Sequence, residues 1–122
     1  MNENVKHPGE LLRTLVVEPT GLSQAALARY LGFNQPQPIN ELIKARRGIT
    51  PKMALLLERL TQKRYCAEFW LLAQLRWDLS QARGAVPSSR LALVQAVDDQ
   101  SKLENCQQDR ALLSVAEALA SC

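Results

Sequence analysis

Aromatic side chains are scarce in this 122-residue chain: two Trp, two Tyr and two Phe, 5% in all, against an apolar total of 47%. Leu and Ala supply most of the apolar content, which favours helices over a β-sandwich or barrel. Cysteine is limited to Cys66, Cys106 and Cys122. An odd number without CxxC spacing argues against a disulfide framework or zinc site and for reduced thiols. There is a single histidine, His7, which has no partner pattern and is expected to cap or pack. No apolar run approaches the ~18 residues of a membrane span, and the opening MNENVKHP lacks the apolar core of a signal peptide. A soluble, cytoplasmic protein is therefore expected. No nucleophile elbow, phosphate loop, HExxH or glycine fingerprint occurs, so no enzyme, catalytic residue, metal, cofactor or small-molecule substrate is expected.

Charge is present but unevenly spread. The chain has net charge +3, with 11 Lys/Arg against 7 Asp/Glu up to residue 80, and 4 against 5 beyond. The positive excess belongs to the longer N-terminal part, the electrostatic footprint of a nucleic-acid binder.

The pattern predicts an all-α protein of up to seven helices. His7-Pro8-Gly9 opens the first, with Leu11, Leu12, Leu15 and Val16 at helical spacing, and Pro19-Thr20-Gly21 closes it. Ser23 caps a second helix running to Leu31. A third runs from about Pro38 to Ala45, and Gly48 ends the Arg46-Arg47 corner. Thr50 caps a fourth with Pro51 at its first position, lined by Met53, Leu56, Leu57 and Leu60. A fifth covers about 66–82. Phe69, Leu72, Ala73 and Arg76 share one face of it, and Trp70, Ala73 and Trp77 an adjacent one. Apolar on more than one side, it is expected to pack on its own core and on a second chain, with Phe69, Trp70, Ala73 and Trp77 as candidate dimer contacts. Gly84 to Ser89 is a break, followed by weaker helices over about 89–97 and 105–120. The expected organisation is a domain at 1–83 and a helical extension at 84–122.

The stretch QAALARYLGFNQPQPINEL, residues 24–42, has helix-turn-helix punctuation. Leu27, Ala28 and Leu31 precede the break at Gly32, and Ile39, Leu42 and Ile43 resume the helical period. Pro36 and Pro38 sit where the second helix should begin. Proline costs little in the first turn, where N–H groups lack intrahelical partners. With Gln37 as cap and Pro38 at the first position, the helix starts about two residues late, after an extended loop over 34–37.

Four blocks in order, HPGELL (7–12), GLSQAALARYLG (21–32), INELIKARRGITPKMAL (39–55) and EFWLLAQ (68–74), resemble the HigA/VapI antitoxins of the lambda-repressor-like (XRE) helix-turn-helix group. The resemblance covers about residues 7–80. It implies a five-helix lambda-repressor-like DNA-binding domain and a homodimer that binds an inverted repeat in double-stranded operator DNA and represses its own operon. It also implies neutralisation of a HigB-type, RelE-like mRNA-cleaving toxin. The turn is one residue longer than the family's usual LGVSRQTINE, seven residues rather than about four precede EFW, and the tail matches no family motif.

Candidate DNA contacts follow from chemistry. Gln35, Gln37 and Asn40 are amides that can pair with adenine N6 and N7. Asn34 lies in the same turn. Lys44, one turn past Asn40, can reach a guanine or a phosphate, and Arg46 and Arg47 contact the backbone. Ser23 and Gln24 open the second helix, whose dipole attracts phosphate. Glu41 reads as solvated. Two other functions remain: a protein-binding inhibitor whose DNA function is lost, motivated by the prolines, and a stand-alone repressor without a toxin.

Overall fold

The structure, a computed structural model, describes residues 5–97; the helix expected at 105–120 lies outside them. The helices are α1 (Pro8–Leu12), a π-helical segment (Arg13–Val17), α2 (Glu18–Thr20), α3 (Gln24–Tyr30), α4 (Gln37–Ile43), α5 (Pro51–Leu60), α6 (Ala67–Ala85) and α7 (Ser88–Leu91). The first three form one uninterrupted rod, so five helices build the domain before α7.

The π segment has an identifiable cause. Pro19 would drive its ring into the carbonyl four residues back and donates no hydrogen bond. Widening the turn before it accommodates the ring: Glu18 N–H reaches back five residues to Arg13 O. The rod then stops at Gly21, whose φ of 72° reverses the chain.

His7 caps α1, its Nδ1 accepting from Gly9 N–H at 2.9 Å. Its ring packs edge-on against Trp77 with centroids 5.1 Å apart. Ser23 caps α3 and Thr50 caps α5, accepting from Ala26 N–H at 3.0 Å and Met53 N–H at 3.2 Å. The core joins all five helices: Leu12 and Val16; Leu27, Ala28 and Leu31; Ile39 and Leu42; Ile49, Met53, Ala54 and Leu57; Ala67 and Trp70. One contact is backbone on backbone. A Cβ on Gly9 would lie 1.8 Å from Leu42 O, so α1 crosses α4 at a distance only glycine permits.

Several expectations need correction. Leu56 is 38% exposed rather than core, while Ala54 takes the interior place. Cys66 caps α6, with Sγ 3.4 Å from Phe69 N–H, and is disulfide-bonded rather than a reduced thiol. α6 extends to Ala85, past the helix end expected at about 82. The helix expected over 89–97 shrinks to α7, one exposed turn.

Trp70 is fully buried in its own chain, its Nε1 donating to Tyr65 O at 3.2 Å. It has no surface to offer a partner, because it faces α5 and the connector rather than outward. The side of α6 opposite Trp70 is lined by leucines: Leu72, Leu75 and Leu79 are exposed there, as is Val86 further on. Leu79 lies nine residues from Trp70, two and a half turns at about 3.6 residues per turn, and so points the other way.

Candidate nucleic-acid interface

The turn between α3 and α4 is built on a Schellman motif. Gly32 takes φ 89°, its N–H bonds Arg29 O at 3.0 Å, and Phe33 N–H bonds Ala28 O at 2.9 Å. This aims the chain so that α4 packs across α3 through Leu27, Ala28, Ile39 and Leu42, all buried.

The prolines do not disable α4. It begins at Gln37, one residue earlier than expected, with Pro36 as the helical N-cap residue and Pro38 at the second position. The extended loop over 34–37 therefore gives way at Pro36, whose φ and ψ are −78° and −8°. No side chain caps this helix, and little capping is needed. Two of the first-turn residues have no N–H to satisfy, and Ile39 N–H bonds Pro36 O at 3.1 Å. Only Gln37 N–H remains of the usual orphan donors.

At the other end Ala45 makes the turn. Ala45 has φ 62°, its N–H bonds Leu42 O, and Arg46 N–H bonds Glu41 O at 2.8 Å. Gly48 instead makes room for α6, since a Cβ there would lie 2.8 Å from Gln74 Oε1. That oxygen accepts from Ile49 N–H at 2.6 Å, while Gln74 Nε2 donates to Asp78 at 2.9 Å. The corner carrying Arg46 and Arg47 is thereby tied to the longest helix. Gln74 ends the EFWLLAQ block, and that position was the available signal for it.

The candidate contact residues occupy α3, the turn, α4 and this corner. Ser23 is exposed with its hydroxyl spent on the cap, and Gln24 is half-buried at the first turn of α3. Asn34 and Gln35 are exposed in the turn; Gln37, Lys44, Arg46 and Arg47 are exposed on and after α4. Asn40 is half-buried, and its Oδ1 is buried without a hydrogen-bond partner. No protein donor therefore holds that amide inward through Oδ1. Lys44 and Arg46 take part in no ion pair among the described residues.

Glu41 is not merely solvated. Its Oε2 accepts from Gln37 Nε2 at 2.9 Å and its Oε1 from Arg47 Nη2 at 2.7 Å. The Gln37 hydrogen bond, together with Arg47 and Arg46, holds its carboxyl below the usual range against a smaller opposing effect of desolvation. A carboxylate at the centre of a basic segment is the sequence signal for these contacts.

Phe69 and Ala73, offered as dimer contacts, line a groove of about 230 Å³ with Leu11, Leu72, Lys6 and Arg76. Trp77 is half-buried against His7. Among the described residues there is no cluster of metal-ligating side chains, and no helix is long and apolar enough to cross a membrane.

No family model matches the chain. Known proteins and structures do. Virulence-associated protein I of Dichelobacter nodosus is 43% identical over 76 residues, which are 62% of this chain and 68% of that protein. The solved structure of antitoxin GraA superposes with a TM-score of 0.71 at 33% identity, covering 79% of this chain and all of the other. The structure of Pseudomonas aeruginosa antitoxin HigA with the higBA promoter superposes with a TM-score of 0.70 at 30% identity, covering 77% of this chain and 99% of the other.

Proposed function

The chain belongs to the HigA/VapI-type antitoxins of the lambda-repressor-like helix-turn-helix family, and from that premise we propose that it binds an inverted repeat in its own promoter as a homodimer, represses that operon and neutralises a RelE-like mRNA-cleaving toxin. Its relatives are antitoxins and DNA-binding regulators, which are not enzymes. The observation that carries the DNA reading is the intact α3–turn–α4 unit, with Gln37, Asn40, Lys44, Arg46 and Arg47 on α4 and the corner after it. The amides would read base edges and the cations would hold phosphates. A helical start at Gln37 removes the reason for supposing the DNA function lost.

Support for a homodimer comes from α6. Leu72, Leu75, Leu79, Ala82 and Val86 recur at intervals of three and four, the spacing of a coiled-coil seam, on the side facing away from the core. A two-fold pairing there would present two α4 helices to half-sites about 10 bp apart, or a multiple of it.

The test is binding to a duplex spanning the sequence upstream of its own coding region, titrated with salt. Affinity should fall steeply as counterions are released, and Asn40→Ala and Arg46→Ala should each weaken it. Binding indifferent to salt, or equal on scrambled DNA, rejects the operator reading. Co-purification with the product of the adjacent reading frame tests the antitoxin role, and its absence leaves a stand-alone repressor.

A further inference from the structure

Glu41 is the sole acid on α4, in the segment proposed to enter the major groove. For raw affinity it is a handicap, because a carboxylate near the phosphate backbone repels it. Its contacts suggest what offsets that handicap. The carboxylate spans the helix surface by one turn to Gln37 and reaches past the helix end to Arg47. Both partners are residues proposed to meet DNA.

We propose that Glu41 is a positioning residue that confers operator specificity by clamping Gln37 and Arg47 in binding-ready orientations. The inference rests on the DNA-binding reading above. An ionised carboxylate can only accept, so the Gln37 amide must turn one N–H toward it. The other N–H and Oε1 are left over, and together they form the donor–acceptor pair that matches adenine N7 and N6. The clamp therefore fixes the reading end of Gln37 without consuming it. Arg47 gives one Nη2 bond to Glu41 and keeps its remaining donors for a phosphate. Part of its charge is balanced before DNA arrives, so its attraction for an arbitrary duplex is reduced. One side chain thus lowers sequence-independent binding and pre-orients a sequence-reading group.

The test uses the full chain, the promoter duplex and a scrambled duplex of equal length, across a range of salt. Glu41→Ala should bind scrambled DNA several-fold more tightly and raise the salt slope by about one unit, the effect of one cationic charge no longer balanced within the protein. The promoter-to-scrambled ratio should fall about tenfold, the scale of one good base contact. Glu41→Gln should fall between Ala and wild type, since its amide oxygen still accepts. In a Gln37→Ala background, Glu41→Ala should no longer lower the ratio. Loss of folding alone would weaken both duplexes equally and leave the ratio unchanged, and that result overturns the proposal. Wild-type protein that binds both duplexes equally overturns the operator reading and the clamp with it. Wild-type discrimination that survives Glu41→Ala overturns the clamp alone.

Discussion

Histidine 7 shows how one side chain can tie local structure to pH. Burial holds its pKa below the ordinary value of 6.5, with Asp78 pulling weakly the other way. A depressed folded pKa means that the unfolded chain takes the proton first. The His7 contribution is then fully present above about pH 6.5 and is lost as pH falls through the lower folded value. Protonation also removes the Nδ1 lone pair that caps α1. The melting temperature should therefore drop between pH 7.5 and 5.5. His7→Asn, which can still cap but does not titrate, should flatten that drop when followed by circular dichroism. Gln74 is a second residue whose effect reaches beyond its own position. Gln74→Leu would leave Ile49 N–H without its partner, at about 1–3 kcal/mol. Because the same bond anchors the Arg46-Arg47 corner, operator affinity should fall more than a chemical-denaturation measurement of stability alone accounts for.

Among the elements, caps and turns decide what could be read from sequence. Ser23, Thr50, Gly21 and Gly32 are residues whose chemistry suits few other places, and the structure uses each as expected. Ala45 and Gln62 perform the same left-handed turn with no such marker, so the sequence places the end of α4 at about Ala45, whereas the helix stops at Ile43. Alanine in that region costs about 1–2 kcal/mol, whereas glycine loses about 0.4–1 kcal/mol through the freedom of the unfolded chain. The first term is larger, so Ala45→Gly should stabilise the protein by roughly 0.5–1 kcal/mol in denaturant unfolding. Gly9 gives the opposite case. Gly9→Ala would put a methyl on Leu42 O, and backbone cannot yield as a flexible side chain can. A loss at or beyond the ~3 kcal/mol upper range of overpacking is expected. The first α4 turn escaped sequence reasoning for a related reason. The rule that residues before proline avoid the helical region is a tendency, and here Gln37 is helical between two prolines.

On the scale of the whole molecule, α6 has two apolar sides, and the sequence did not say which was which. Helical periodicity places Trp70 and Trp77 near one another and Leu72, Leu75 and Leu79 on another stripe, but either stripe could be the core. The apolar character of more than one side points to Phe69, Trp70, Ala73 and Trp77 as partner contacts. The fold buries Trp70 completely, because Tyr65 and Phe69 surround it with ring centroids 5.9 and 5.2 Å away. That leaves the leucine stripe as the candidate dimer face. The consequence is a sharp separation of effects. Leu75 is 51% exposed in the single chain, so Leu75→Arg removes no core contact and should leave the helical circular-dichroism spectrum of the folded chain as in wild type. In a seam, however, a buried unpaired charge is strongly unfavourable, so the same change should turn a dimer into a monomer by sedimentation. Each monomer would keep its α3–α4 unit and should still occupy a single half-site at high concentration. Binding to the full inverted repeat would lose the gain from linking two half-sites, often 10²–10⁴-fold. A Leu75→Arg protein that remains dimeric and binds the repeat as wild type does would exclude the outward face of α6 as the dimer interface.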